Sequence, residues 1–402
     1  KSKIKNQTLN TLELSLQLQN INKMKVCVVG NGYVGLPLAV LAKQAGHSVL
    51  GFDADVKKVQ MLQAGESPID DVLDSELEGL TFSSIPGAIR GYDVYIICVP
   101  TPVNPDKTPN LRIINAVKQT LLDNAQPGSL IILESTVGVG DTRRIFGGFA
   151  DRDFYVANSP ERIDPSRKKP TLYEIPKVVG GLNDASTNFA TKFYETVFAN
   201  VVPVKSAEHS EATKLLENSY RAVNISFINE FADFCSQSGL DTDHIVDAAS
   251  TKPYGFSPFR SWIGVGGHCI PVDPHYLIES APGSKWPILE SAMTAMHARP
   301  GRLALEHVDP CTQKVLVCGV SYKPNVSDVR DAPQADFIKS LLGNKIEVEF
   351  FDPLVESYMG LQKVHNLSMV DHYDKVFIMH QHECCPELND IRELDHVVTF
   401  CR

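Results

Sequence analysis

Residues Lys25–Val29 form a short β-type run that enters Gly30-Asn31-Gly32-Tyr33-Val34-Gly35 and continues into a helical pattern through Leu36, Leu38, Val40 and Leu41. Strand, glycine turn and helix in that order constrain the fold more than anything else in the chain. In such a turn one glycine permits the tight bend, a second lets a diphosphate approach the backbone, and a third lets the helix pack on the strand. The helix N-terminus then offers N–H groups to the phosphates. The next strand-like run, Ser48–Phe52, ends at Asp53, placed to accept hydrogen bonds from an adenosine ribose. Further runs at 94–99 and 130–133 alternate with helical segments, as a doubly wound parallel sheet requires. The expectation is an NAD-binding domain in which Gly30, Gly32, Tyr33, Val34, Gly35 and Asp53 line the cofactor.

Periodicity organises the rest. The longest helical signal covers 208–238, with Leu215, Leu216, Tyr220, Val223, Phe227, Phe231 and Phe234 recurring near helical period. Such a helix can bridge domains. Strand-like runs resume at 314–320, 346–351, 375–379 and 397–400 and mark a second, smaller α/β unit. The expected fold is α/β, two Rossmann-like doubly wound domains joined by a long central helix. Its expected parts are an amino-terminal extension over 1–23, the NAD-binding domain over 24–207, a central helical region with the cysteine loop over 208–309, and a second α/β domain over 310–402.

A chain of 402 residues with 43% hydrophobic and 21% charged content suits a soluble enzyme of two or three domains. No apolar run approaches the roughly 20 residues needed to span a bilayer, so no membrane partner is expected. A net charge of −10 argues against nucleic acid. Nine cysteines are scattered from Cys27 to Cys401 without paired spacing, which points to a reducing, cytoplasmic setting.

One cysteine stands apart. Cys269 lies in Gly264-Val265-Gly266-Gly267-His268-Cys269-Ile270-Pro271-Val272-Asp273-Pro274, glycines on one side and a carboxylate four residues downstream. A thiol beside a nicotinamide cofactor suggests aldehyde-level oxidation through a covalent thioester, because sulfur can hold the carbonyl carbon while hydride leaves. Lys214 and Asn218, four apart on the long helix, share one face.

Six motifs follow in order: Gly30-Asn31-Gly32-Tyr33-Val34-Gly35-Leu36-Pro37; Cys98-Val99-Pro100-Thr101-Pro102; Glu134-Ser135-Thr136-Val137; Ser159-Pro160-Glu161-Arg162; the cysteine loop from Gly266; and Tyr322-Lys323-Pro324 through Arg330. In this order they resemble the nucleotide-sugar 6-dehydrogenases, which include UDP-glucose, GDP-mannose and UDP-N-acetylhexosamine dehydrogenases. The resemblance implies a four-electron oxidation of a sugar C6 hydroxyl to a carboxylate by NAD, with Cys269 as nucleophile. It implies that Lys214 and Asn218 steady oxygen charge at C6, that Asp273 and Glu161 handle protons and water, and that Thr136 positions a water molecule. Pro100, Thr101, Thr136 and Arg330 join the cofactor contacts. Arg162, Tyr254, Gly267 and Lys323 join Glu161, Lys214 and Asn218 around the sugar nucleotide. A homodimer built on the long helix is implied as well.

The stretch from Ser159 to Pro165, the Val178-Val179-Gly180-Gly181 run and the His-Cys pair look most like the UDP-N-acetylhexosamine branch, with UDP-N-acetylglucosamine favoured over UDP-N-acetylmannosamine. UDP-glucose is the alternative sugar. The chain departs from the pattern at Val137-Gly138-Val139-Gly140-Asp141, where a Tyr-Pro-Gly turn is usual, at Ser261-Trp262-Ile263, and at Ser166-Arg167-Lys168-Lys169. Two rival readings are a two-electron 3-hydroxyacid dehydrogenase, which needs no thiol, and a non-catalytic nucleotide-sugar-binding protein. His380, His382, Cys384 and Cys385 lack paired metal-ligand spacing, so no metal is expected.

Overall fold

A computed structural model describes residues 23–400 apart from 70, 163–169 and 282. Residues 1–22 of the expected extension, and the readings placed on Ile163, Asp164, Pro165 and Ser166 to Lys169, lie outside the described residues. The chain divides into two compact units, residues 1–216 with 275–282, and residues 217–274 with 283–402.

In the first unit the elements run β1 (Lys25–Val29), α1 (Gly35–Gln44), β2 (Ser48–Phe52), α2 (Val56–Gln63), β3 (Thr81–Ser83), β4 (Val94–Ile97), α3 (Arg112–Asn124), β5 (Leu130–Leu133), α4 (Asp141–Ala150), β6 (Tyr155–Asn158), β7 (Lys177–Gly181), α5 (Asp184–Tyr194) and β8 (Val201–Pro203). They build an eight-stranded sheet in the order β3-β2-β1-β4-β5-β6-β7-β8. All neighbours are parallel except β6 and β7. Strands β4 and β5 are buried at every residue, as expected where helices cover both faces of a parallel sheet. Alternate residues feed two cores: Val26, Val28, Ile96 and Ile132 pack with Leu38 and Phe189, while Cys27, Val29, Ile97 and Ile131 pack with Leu121 and Phe146.

Helix α6 (Ala207–Gln237) is continuous over 31 residues, and its first ten belong to the first unit. The second unit contains α7 (Thr242–Ser250), α9 (Pro287–Glu306), α10 (Gln334–Gly343) and strands β9 (Lys314–Cys318), β10 (Glu347–Phe351), β11 (Gln362–Lys363), β12 (Lys375–Ile378) and β13 (Val397–Thr399); the short α8 (Asp273–Glu279) precedes α9. Its all-parallel sheet has the order β11-β10-β9-β12-β13. Both units are therefore Rossmann-like, in agreement with the expectation from the sequence. In each, strand order reverses once, between β1 and β4 and between β9 and β12, and such a switch point opens a crevice at the carboxyl ends of the strands. Among the described residues no helix is long and apolar enough to cross a membrane.

Candidate active site and its two Rossmann units

At the first switch point each glycine of the turn has a distinct reason. Gly30 has φ +93°, and a Cβ there would lie 2.8 Å from the Cys98 carbonyl oxygen. A Cβ on Gly35 would sit 1.8 Å from the Gly30 oxygen, so only glycine lets α1 start against β1. Gly32 would meet nothing within 4 Å, which leaves its backbone open to a ligand. No side chain caps the start of α1, whose Leu36 and Leu38 amides donate to the Gly32 and Val34 carbonyls at 3.0 and 3.4 Å, so the positive end of the helix is left facing the turn. Asp53 accepts hydrogen bonds from the Asn31 amide at 2.9 Å and from Lys58 Nζ at 2.8 Å. Burial pushes its carboxyl up, but Lys58 and the amides of Asp55 and Asn31 win and hold it below the usual carboxylate range. The carboxylate stays ionised and oriented, as a ribose acceptor must. These residues fit NAD: Gly30 to Gly35 would hold the diphosphate and Asp53 the adenosine ribose. Tyr33 is exposed at the turn, Pro100 is exposed, and Thr101 offers its carbonyl to the Tyr276 hydroxyl at 3.1 Å.

Thr136 is half-buried just beyond β5, at the head of one of the unusual loops. Glu211 ties that loop down. Its carboxylate accepts from the Gly140 amide at 2.6 Å and the Thr142 amide at 2.7 Å, at the start of α4 and three residues before Lys214 on α6. Val139 donates to Ser280 Oγ at 2.7 Å, and Gly140, at φ +94°, completes the turn. Burial pushes the Glu211 carboxyl from 4.5 up to about 7, against the opposing pull of these amides. A carboxyl raised on folding keeps a proton that the unfolded chain has released, so its contribution to stability is lost as pH rises from about 4.5 to 7. Glu211→Gln is expected to remove that component: the difference in Tm between variant and parent should grow in the variant's favour across this window. A difference independent of pH would refute it.

Glu161 follows β6 and is nearly fully buried. Lys177 Nζ, at the start of β7, lies 3.4 Å from Glu161 Oε2 and 2.5 Å from Glu134 Oε2. The Tyr194 hydroxyl donates to the other Glu134 oxygen. Arg162 donates from its amide to Glu161 Oε1 at 2.5 Å and from Nη1 to the Pro176 carbonyl at 2.8 Å.

The second unit carries the thiol. Cys269 is exposed, in a loop whose glycines are forced by close packing: a Cβ on Gly264 would lie 2.8 Å from Pro333, and one on Gly266 would lie 2.9 Å from Pro333 and 3.0 Å from Tyr322. Gly267 adopts φ +83°, a left-handed conformation that glycine takes without strain. The Cys269 carbonyl accepts from the amides of Val272 (3.1 Å) and Asp273 (2.8 Å) where α8 begins. Asp273 is buried, and its Oδ2 accepts from Asn218 Nδ2 at 2.5 Å. Trp262, in another departure from the family pattern, anchors the loop by donating from Nε1 to the Met379 carbonyl at 3.0 Å, while Arg299 Nε donates to its carbonyl at 2.8 Å. His268 Nδ1 lies 3.1 Å from Asp331. Arg330 forks onto Asp328 at 2.9 and 2.6 Å. Lys323 Nζ stands 5.0 Å over the Tyr322 ring, and Tyr254 is 73% exposed.

The structure thus groups Cys269, Asn218 and Asp273 in one unit, and groups Thr136 and Glu161 with the cofactor turn in the other. Lys214 is half-buried on α6, one turn before Asn218.

Three models of the UDP-glucose/GDP-mannose dehydrogenase family match the chain: its NAD binding domain over 24–198, its central domain over 208–296 and its UDP binding domain over 316–399. The chain belongs to this family. It is an NAD-dependent dehydrogenase of nucleotide sugars. A UDP-N-acetyl-D-mannosamine dehydrogenase of Methanococcus maripaludis is 31% identical, over 84% of this chain and 82% of its own. A UDP-N-acetyl-D-glucosamine 6-dehydrogenase of Salmonella typhi is 32% identical over 90% and 91%. The solved UDP-D-ManNAc dehydrogenase of Pyrococcus horikoshii superposes with a TM-score of 0.84 at 27% identity, covering 94% of this chain and 95% of that one.

The UDP binding domain of this family member repeats the loop chemistry of its NAD domain, which sequence reading missed. Gly319 has φ +84°, and a Cβ there would lie 2.7 Å from the His380 carbonyl oxygen, just as Gly30 abuts Cys98. Asp352 ends β10 as Asp53 ends β2, and accepts from the Val320 amide at 2.9 Å. Here a histidine has reached the carboxylate: His382 Nε2 lies 3.3 Å from Asp352 Oδ2, and His380 Nε2 lies 3.3 Å from His382 Nε2. The three residues are buried and have metal-ligand chemistry. Their hydrogen bonds argue otherwise. His382 Nδ1 accepts the Asn325 amide at 2.9 Å, so the neutral ring carries its proton on Nε2, the atom a metal would need. The adjacent cysteines have other surroundings: Cys384 is exposed, and Cys385 accompanies Leu388 and Ile391 in an apolar core.

Proposed function

We propose that this protein oxidises the C6 hydroxyl of a UDP-N-acetylhexosamine to the carboxylate in two NAD-dependent steps, through a thioester on Cys269. The single observation that carries the reading is the grouping of an exposed Cys269 and Asp273, on the loop that starts α8, with Asn218 of α6, which donates to the Asp273 carboxylate. Bound NAD supplies the hydride acceptor for each oxidation. In the first, a base or water takes the hydroxyl proton as the C6 hydrogen leaves as hydride. The Cys269 thiolate then bonds to the aldehyde carbon, and Lys214 and Asn218 stabilise the oxyanion of the adduct. Loss of the second hydride leaves the thioester. Water, directed by Thr136 and deprotonated with the help of Glu161 or Asp273, adds to its carbonyl, and the C–S bond breaks to return the thiol. Arg162, Tyr254, Gly267 and Lys323 contact the sugar nucleotide, and Arg330 reaches the cofactor region in the assembled enzyme.

UDP-N-acetylglucosamine is favoured over UDP-N-acetylmannosamine on the residues around Glu161 and Cys269, and relatives named for either sugar align along most of the chain. UDP-glucose is the alternative. The protein is read as a cytoplasmic homodimer without a structural metal. Tyr220, Phe227 and Phe234 recur every seven residues along α6 at 50, 65 and 55% exposure, the spacing of a helical contact seam. A monomeric mass at micromolar concentration would refute the dimer.

A panel of UDP-glucose, UDP-N-acetylglucosamine, UDP-N-acetylmannosamine and GDP-mannose, followed by NADH release, tests the function. Two NADH per sugar are expected, fastest with UDP-N-acetylglucosamine. One NADH per sugar would mean a simple alcohol dehydrogenase, and sugar binding without NADH a non-catalytic protein.

A further inference from the structure

Three ionisable side chains lie buried at the carboxyl ends of β5 and β6, and their meeting depends on the one antiparallel strand pair of the first sheet. Pairing of Ala157 with Gly181 and Asn158 with Gly180 sets the register of β6 on β7. Followed three residues further, that register brings Glu161 opposite Lys177. The lysine side chain is 3% exposed and the Glu134 and Glu161 side chains 0 and 5%. Every element packed around them contributes: Glu134 from the end of β5, Glu161 from the end of β6, Lys177 from β7, the Tyr194 hydroxyl and ring from α5, the Phe198 ring beyond it, and the Cys98 thiol from the end of β4. One ammonium thus serves two carboxylates, with two aromatic faces 5.6 and 5.3 Å from its nitrogen. Lysine is almost never buried this far without such partners.

We propose that Lys177 and Glu134 are positioning residues for Glu161, the shared ammonium setting the proton affinity of that carboxylate from the start of β7. The proposal rests on Glu161 serving the reaction as described above. When Glu134 is neutral, the full charge of Lys177 falls to Glu161, which is then a stable anion and a weak base. When Glu134 is ionised, it draws on the same ammonium and Glu161 becomes more basic. Burial raises the Glu134 carboxyl to about 7 against the opposing pull of the Lys177 ammonium, so this division changes within the working range of an enzyme.

Profiles of kcat and kcat/KM against pH test it in Glu134→Gln, Lys177→Met, Lys177→Arg and Glu161→Gln, with NAD binding and Tm confirming that each variant folds. Glu134→Gln is expected to move the acid limb of kcat about one pH unit lower, and Lys177→Met to move it higher while lowering kcat about 100-fold with little change in the KM for NAD. Lys177→Arg should restore most of the activity. A purely structural role would not produce opposite shifts. Acid limbs that stay in place, or that move the same way in both variants, would overturn the proposal provided Glu161→Gln is impaired. Full activity of Glu161→Gln would instead overturn the role given to Glu161.

Discussion

Replacing Cys269 by serine or alanine is expected to abolish uronate formation, lowering it by at least about three orders of magnitude, while NAD and UDP-sugar still bind. The thiolate is needed twice, first as a nucleophile toward the aldehyde and then as a leaving group from the acyl carbon. A serine hydroxyl fails in both roles, because its alkoxide is scarce at neutral pH and leaves poorly. The substitution should be benign for folding. Cys269 is exposed, and the bonds that hold its loop run through its own carbonyl and through glycines packed on Pro333 and Tyr322. Unchanged Tm with lost uronate is the expected pair of results, read by mass spectrometry of the sugar product. Undiminished uronate from both variants would refute the thioester. Aldehyde accumulation in Cys269→Ala, trapped with hydroxylamine, would show that the first oxidation survives.

A second large effect is expected at the cofactor turn, where two glycines should differ in stability while both weaken NAD binding. Gly35→Ala places a methyl 1.8 Å from the Gly30 carbonyl oxygen, backbone against backbone, with no flexible side chain to yield. The start of α1 must shift, and a loss of about 3 kcal/mol or more in stability is expected together with loss of NAD binding. Gly32→Ala meets nothing within 4 Å, so the folded protein should keep its Tm within a degree or two. Its methyl would occupy space that a diphosphate needs, raising the KM for NAD about tenfold. Equal Tm losses in the two variants would contradict this division of roles. Calorimetry and NAD titration separate the outcomes.

Contiguous signals are the legible ones in this chain. Strand, glycine turn, helix and the acid at Asp53 lie within 30 residues, and the Cys269 loop carries its glycines and Asp273 in one short run, so local chemistry announces them. The long helix and both α/β units were legible from periodicity. Lys177 was not. A lone lysine opening an apolar run reads as a solvated strand end, and only the antiparallel turn of β7 brings it under Glu161. Glu211 was likewise invisible, because its partners Gly140 and Thr142 lie about 70 positions away. His380 and His382 stand out in the sequence beside Cys384 and Cys385, whereas their carboxylate partner, Asp352, lies 30 positions before His382.

The sequence by itself determined two Rossmann-like units, the glycine turn of the first and the glycine-flanked cysteine loop, because each is specified by backbone conformations and residue types adjacent in the chain. Only the tertiary structure decided which buried charges meet. Electrostatic pairing depends on separations of about 3 to 4 Å and on exclusion of water. Strand register and helix packing set those distances, joining residues such as Lys177, Glu134 and Glu161 that no local pattern connects.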